Sequence, residues 1–184
     1  MESGLNMQLV LNEGKAFNCY MAHYGKFTNV KNYIALVGKK SKNLYVKVGY
    51  YGEKIVLYAQ MLGLNTCWVA LTYKKIDSAI KVNKGEKLTM VIAIGYGENQ
   101  GKERSSKKPE QVFNISENTP LNLYNGVKMA LLAPTAMNQQ KFHFTINGNT
   151  VKLTAGKGFY TKTDSGIVKL HFEIGAGKES FKWQ

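Results

Sequence analysis

The sequence predicts an α+β fold with a mixed, mainly antiparallel sheet flanked by helices. Three observations carry this. Residues 88–95 form the longest run of β-favouring apolar residues, bounded by the Gly85-Glu86 turn. Residues 142–146 alternate in polarity and are followed, across Asn147-Gly148, by residues 150–154, and that dipeptide readily takes the positive φ of a hairpin turn. Helical and strand-like segments succeed one another without the regular alternation that a parallel sheet needs.

Taken in order, residues 7–11 alternate enough for a short strand, ended by the Asn12-Glu13-Gly14 turn. Residues 15–24 read as a short helical or irregular segment stopped by Gly25. Residues 32–38 are apolar and bounded by turn formers, which predicts a buried strand, and residues 39–47 read as a charged loop. Ile55, Leu57, Tyr58, Met61 and Leu62 recur at helical spacing within residues 49–62, with Gly63 placed as a left-handed cap. Residues 64–68 leave that helix as an apolar, buried segment, and residues 75–82 have the spacing of an amphipathic helix of about two turns. From Gly95 to Pro109 the pattern dissolves into a polar loop. A connector follows at residues 110–116, with a soft lobe boundary near residues 110–120 inside one domain spanning the chain. Residues 123–132 read as a helix with Asn122 as its cap, and residues 164–174 as another capped by Asp164.

A chain of 184 residues, 44% hydrophobic, can bury one core of one or two lobes. It has no apolar run long enough to span a bilayer and no charged-then-apolar leader, so a cytoplasmic product with no membrane partner is expected. Cys19 and Cys67 are too few for a disulfide framework or zinc site, and His23, His143 and His171 lack ligand spacing, so no metal is expected. The net charge of +13 raises nucleic acid as a partner. Its source argues otherwise: all of the basic residues are lysines except Arg104, and they are strewn along the chain. Specific base and phosphate readers lean on the bidentate arginine fork, so no nucleic-acid partner is expected. Neither a Ser-His-Asp or Cys-His arrangement nor a paired-acid constellation stands out, so no side chain is assigned as a catalytic acid or base.

Three segments carry binding chemistry. In residues 66–72, Trp68 offers a large flat face, although a core aromatic is the favoured reading on the residues alone. In residues 102–108, Arg104, Ser105, Ser106, Lys107 and Lys108 combine charge with hydroxyl donors, as a phosphate requires, although a solvated surface loop has the same composition. In residues 134–140, Pro134 interrupts an apolar run, and Asn138, Gln139 and Gln140 then offer donors and acceptors suited to the mixed edge of a flat heterocycle. A plain polar loop is the alternative there.

Together these segments resemble the nitroreductase family. Residues 49–69 show an apolar helix, Leu62-Gly63-Leu64, a polar pair and then Cys67-Trp68-Val69, similar to that family's helix and loop. Val91-Ile92-Ala93-Ile94-Gly95-Tyr96 followed by the basic loop resembles its strand and phosphate-side segment. Ala133-Pro134-Thr135-Ala136-Met137-Asn138-Gln139-Gln140 resembles its Ala-Pro-Ser-Ala-x-Asn-x-Gln signature. The resemblance covers residues 33–144. The signature comes late, as in the single-chain branch, where one subunit with two related lobes imitates the family dimer. The resemblance implies FMN-dependent reduction of a small-molecule acceptor (a nitroaromatic, quinone or similar compound) with NAD(P)H as electron donor. It places Trp68, Val69, Ala70 and Leu71 along the isoalloxazine, and Pro134, Thr135, Ala136, Met137, Asn138 and Gln140 at the ring's other boundary. Arg104 and the Ser105, Ser106, Lys107 and Lys108 loop are placed toward the phosphate.

Two departures from the family pattern modify these expectations. Ala70-Leu71 stands where the family has Gly-Gly, which implies a narrower pocket. The family's opening helix with Arg-Arg-Ser has no counterpart here, which implies a naturally short protein or a frame beginning inside the domain. Loss of that helix exposes apolar surface and favours self-association, with a homodimer as one form. The rival expectation is a non-catalytic or cofactor-deficient flavin- or nucleotide-binding protein of the same fold.

Overall fold

The computed structural model describes residues 3–114 and 118–184. The chain divides into two compact units: residues 1–44 with 54–101, and residues 45–53 with 102–184. The connector expected at residues 110–116 lies partly outside the described residues, and the change of unit falls before it, at Gly101.

Unit 1 is built on a four-stranded antiparallel sheet of order β1-β2-β4-β3, from β1 (Leu5–Val10), β2 (Tyr33–Lys39), β3 (Asn65–Val69) and β4 (Glu86–Gly95). Six successive residues of β2, Tyr33 to Gly38, are buried, because it is an inner strand covered on both faces. Its register with β4 shifts between Leu36 and Val37, where Thr89 forms a bulge and its hydroxyl donates to the Leu36 carbonyl at 2.8 Å. Tyr33, Ala35, Val37, Val91 and Ala93 share one face with Ala16, Phe17, Ala22 and Ile80, forming the core of this unit. A short helix α1 (Tyr20–Tyr24) ends at Gly25, as expected.

Helix α2 (Leu44–Met61) contributes to both units. It begins inside the stretch expected to be a charged loop, because Leu44 and Val48 extend the apolar spacing backwards and are both buried. At its other end Gly63 has φ +74, the Gly63 N–H donates to the Gln60 carbonyl and the Leu64 N–H to that of Ala59. That is the Schellman closure expected of a glycine there. Tyr58, Met61 and Leu62 are nevertheless exposed, so the apolar spacing of the last turns does not mark a buried face.

The helix expected at residues 75–82 is absent. Asp77 to Ala79 form only a turn, and the Gln8 side chain takes both backbone groups of Lys81. Lys81 N–H donates to Gln8 Oε1 at 2.8 Å, and Gln8 Nε2 donates to the Lys81 carbonyl at 2.7 Å. A residue so engaged cannot join a helical ladder, and Ile80 enters the core from the loop.

Unit 2 carries a second sheet of order β5-β6-β7, from β5 (Phe142–Asn147), β6 (Thr150–Ala155) and β7 (Lys182–Trp183), with the last pair parallel. Asn147 pairs with Thr150, so the hairpin's central residues are Gly148 and Asn149, one place later than expected. Of these only Gly148 has positive φ (+54), the pattern of a type II′ turn. Helices α3 (Leu121–Ala130) and α4 (Thr161–Ala176) pack on an aromatic core in which the Phe144 and Phe172 rings lie 4.6 Å apart and Trp183 sits 5.4 Å from Phe172. Neither expected cap holds. Pro120 caps α3, and the Asn122 amide donates to Ser180 Oγ and the Ala176 carbonyl. Tyr160 caps α4 with φ 62, and Asp164 lies inside the helix.

Close helix contacts in this unit rest on glycine. A Cβ on Gly166 would lie 2.0 Å from the Val46 carbonyl oxygen, and one on Gly49 at 2.0 Å from that of Thr163. Among the described residues no helix is long and apolar enough to cross a membrane.

Candidate functional site

Helix α3 runs out at Ala130, leaving the carbonyls of Leu131, Leu132 and Ala133 to find donors outside the helix. Arg104 supplies them. Its Nη2 donates to Leu132 O at 2.5 Å and Ala133 O at 3.0 Å, with a longer contact of 3.4 Å to Leu131 O. A fixed cation at a helix C-terminus also opposes the negative end of the helix dipole. The next residue, Pro134, cannot continue the helix, and Thr135 N–H folds back onto the Ala133 carbonyl at 2.9 Å.

Residues 136–140 then form a tight turn with three left-handed residues other than glycine: Met137 (φ 51), Asn138 (φ 51) and Gln140 (φ 44). Asparagine visits this region readily, whereas methionine and glutamine each cost about 1–2 kcal/mol there. Such strain persists only where the surroundings over-determine the backbone, and it gathers at binding sites. Gln140 supplies the surroundings. It is 2% exposed, its N–H donates to Thr135 Oγ1 (3.0 Å), and its Nε2 donates to Leu131 O (3.0 Å) and Ser106 Oγ (3.2 Å). Its Oε1 accepts from Lys107 N–H (2.7 Å) and its carbonyl from Lys107 Nζ (2.8 Å). Asn138 Nδ2 adds a bond to the Ser105 carbonyl at 2.8 Å.

Asp164 pins the turn from α4. Its Oδ1 accepts from Ala136 N–H (3.0 Å) and its Oδ2 from Gln139 Nε2 (2.8 Å). Burial pushes this carboxyl above the usual aspartate range, and the two hydrogen bonds pull it partly back.

Two of the three segments are thus brought together in unit 2: Arg104, Ser105, Ser106 and Lys107 lie against Thr135, Asn138 and Gln140. Pro134 and Ala136 are half-buried within the turn, and Met137 is exposed. Lys108 continues the loop, its N–H held by Gln111 Oε1. Within the loop Arg104, Ser106 and Lys107 are committed to internal partners, whereas Lys102, Ser105 and Lys108 face solvent. The sequence missed Asp164 and Gln139 as pins of the turn; their spacing of 25 residues leaves no local signal.

The third segment lies in unit 1. Trp68 is half-buried on β3 opposite Ile92, Val69 belongs to the core, Ala70 is half-buried and Leu71 is exposed. Trp68 therefore reads as neither a fully buried core aromatic nor a free surface ring. Among the described residues no group of three or more His, Cys, Asp or Glu side chains is placed to share a metal ion.

The sequence profile of the family described as "Putative TM nitroreductase" matches residues 1–176. No curated protein matches the chain. A crystal structure described as a "putative nitroreductase" from Thermotoga maritima has a similar fold, with a TM-score of 0.69 and 21% identity over 95% of this chain and 67% of that one. The profile match over nearly the whole sequence places this protein in the nitroreductase family.

Proposed function

We propose that the chain is an FMN-dependent oxidoreductase that takes electrons from NAD(P)H and reduces a nitroaromatic, quinone or similar small acceptor. The observation that carries this reading is the union of the basic loop and the strained signature turn through Gln140. It fixes cations and hydroxyls beside a turn rich in amide donors and acceptors. The donor set fits an FMN phosphate through the solvent-facing Lys102, Ser105 and Lys108. Arg104 stands apart from that set, since its Nη2 caps α3; its first part is to position the loop. The exposed Met137 and Asn138 would border the flavin ring, and the family resemblance alone carries the assignment of Trp68 to Leu71. Bound FMN supplies the redox chemistry, and the chain binds it, orients it and sets its surrounding charge.

The test is titration of the purified protein with FMN, followed by absorbance and flavin fluorescence, then NAD(P)H under nitrogen. Saturable binding, bleaching on NAD(P)H and recovery on adding a quinone support the oxidoreductase. Failure to bind FMN at high concentration refutes it. A specific observation favours the second reading, a flavin- or nucleotide-binding protein without catalysis: Nη2 of the one arginine is engaged inside the fold, which leaves only its Nε and Nη1 to meet a phosphate and weakens the bidentate fork. That reading predicts FMN binding without bleaching by either nicotinamide. A homodimer is also proposed, and sedimentation of the purified chain tests it.

A further inference from the structure

We propose that unit 1 carries a separate binding site for a planar aromatic carboxylate, in the cavity between residues 14–18, His23 and the loop at residues 27–31. The proposal does not rest on the flavin reading.

The cavity has a volume of about 570 Å³, within the range of small-molecule sites. Its chemistry is divided. The floor is aromatic and aliphatic: Phe17 is buried, Phe27 and Val30 are half-buried, and the Phe17 and Phe27 rings meet edge to face at 5.0 Å. Tyr73 stacks on Phe17 from the core side at 6.4 Å and fixes that ring. The rim is cationic, with Lys15 and Lys31 exposed, and no carboxylate lines the cavity. Among the described residues neither lysine side chain makes an ion pair or hydrogen bond. The acid next along the chain, Glu13, accepts from the N–H groups of Lys15 and Ala16, both at 2.9 Å, and its charge acts on the Tyr33 phenol.

The walls are held in place. Glu13 N–H donates to the Lys31 carbonyl at 2.8 Å, Phe27 N–H to Ala22 O at 3.1 Å and Lys26 N–H to His23 O at 2.9 Å. Asn29 in the lining (φ 55) and Lys26 just before it (φ 59) have left-handed backbone, which asparagine adopts readily. A pinned wall over an apolar floor is a preformed site, which lowers the ordering cost of binding. A flat ring lying on Phe27 and Val30 buries apolar area. Its carboxylate at the rim meets two cations that lack partners. A bare inorganic anion would leave the floor unused, and a neutral ring would leave the rim unused.

The test uses the full chain and three probes: naphthoate, its neutral isostere naphthamide, and inorganic phosphate, followed by backbone NMR shifts. Expected are saturable naphthoate shifts in residues 14–31 and affinity about tenfold above naphthamide. The Lys15→Met/Lys31→Met variant should lose that advantage, with naphthamide binding and the melting temperature unchanged. Naphthoate affinity should persist with FMN at saturation. Equal binding of naphthoate and naphthamide, indifference to the double substitution, phosphate binding as tightly as naphthoate, displacement by FMN, or no shifts up to the solubility limit would each overturn the proposal.

Discussion

Gln140→Ala tests whether the basic loop and the signature turn are one structure. The substitution removes the acceptor of Lys107 N–H and the donor to Leu131 O and Ser106 Oγ. A buried polar group left without a partner costs about 1–3 kcal/mol, and less where water can reach it. Leu131 O keeps only the two 3.4 Å contacts from Arg104 and Ser106. The full penalty applies there, because Leu131 is buried, whereas Lys107 is half-buried and its N–H recovers water in part. The sum is about 2–3 kcal/mol, which for a chain of this size is a melting-temperature drop of roughly 4–12 °C. Gln140→Leu preserves volume and should lose nearly as much, which separates hydrogen bonding from cavity formation. Amide exchange supplies the local readout: Lys107 N–H should exchange faster in both variants, while Val91 N–H in β4 keeps its protection. A melting temperature within about 1 °C of the parent, or unaltered exchange at Lys107, would refute the reasoning.

Three further outcomes follow from the same geometry. Gly166→Ala gains about 1 kcal/mol of helix propensity, but its Cβ meets the Val46 carbonyl at 2.0 Å. Overpacking against backbone costs more, so net destabilisation of about 2 kcal/mol or greater is expected in thermal melts, while Gly95→Ala, with open space around it, serves as control. Asp164 has a carboxyl raised chiefly by burial, so its contribution to stability is fully present below the unfolded aspartate pKa and falls as pH rises through the folded value. Asp164→Asn should flatten stability against pH on that side of neutrality, whereas Asp164→Ala, which also frees Ala136 N–H, should lower stability at every pH; urea titrations in acid to neutral buffers distinguish them. Burial first, with the Glu13 carboxylate adding, pushes the Tyr33 phenol up to about 12. A raised acid favours its protonated form in the fold, so stability is intact below pH 10.0 and is lost as pH climbs through about 12, a decline that Tyr33→Phe should remove when unfolding is followed across that range.

What the sequence revealed of the fold was what neighbouring residues decide. The Gly63 closure of α2 and the β5–β6 hairpin depend on a few adjacent φ angles, and both formed, the hairpin with its turn one residue later. The helix expected at residues 75–82 failed for the opposite reason. Its spacing was sound, but Gln8, 73 residues away, took the Lys81 backbone, and no local pattern could announce that. The displaced caps belong to the same class. Asn122 and Asp164 have the side chains a cap needs, and each found a tertiary partner that a cap would have denied it.

The site divides along the same line, and Arg104 shows why. A guanidinium in a loop with serines and lysines invites a phosphate, because planar donors want concentrated negative charge. The end of a helix offers a rival: three carbonyl oxygens, already oriented and carrying the dipole's negative end. Arg104 lies 27 to 29 residues from those oxygens in the chain, and the fold brings them within reach of its Nη2. The motif was therefore legible as a loop of donors, while the division of labour within it was not. Arg104 bound to α3 and Lys107 bound to Gln140 anchor the loop at two points, and on the proposed FMN reading the anion would be met by the solvent-facing Lys102, Ser105 and Lys108. Lys102→Ala/Lys108→Ala should therefore weaken FMN binding about tenfold or more without moving the melting temperature. Arg104→Ala should lower both together, because on that reading the arginine acts through the loop it holds. FMN titrations and melts of the two variants separate these roles, and the reverse pattern would return the arginine to the phosphate.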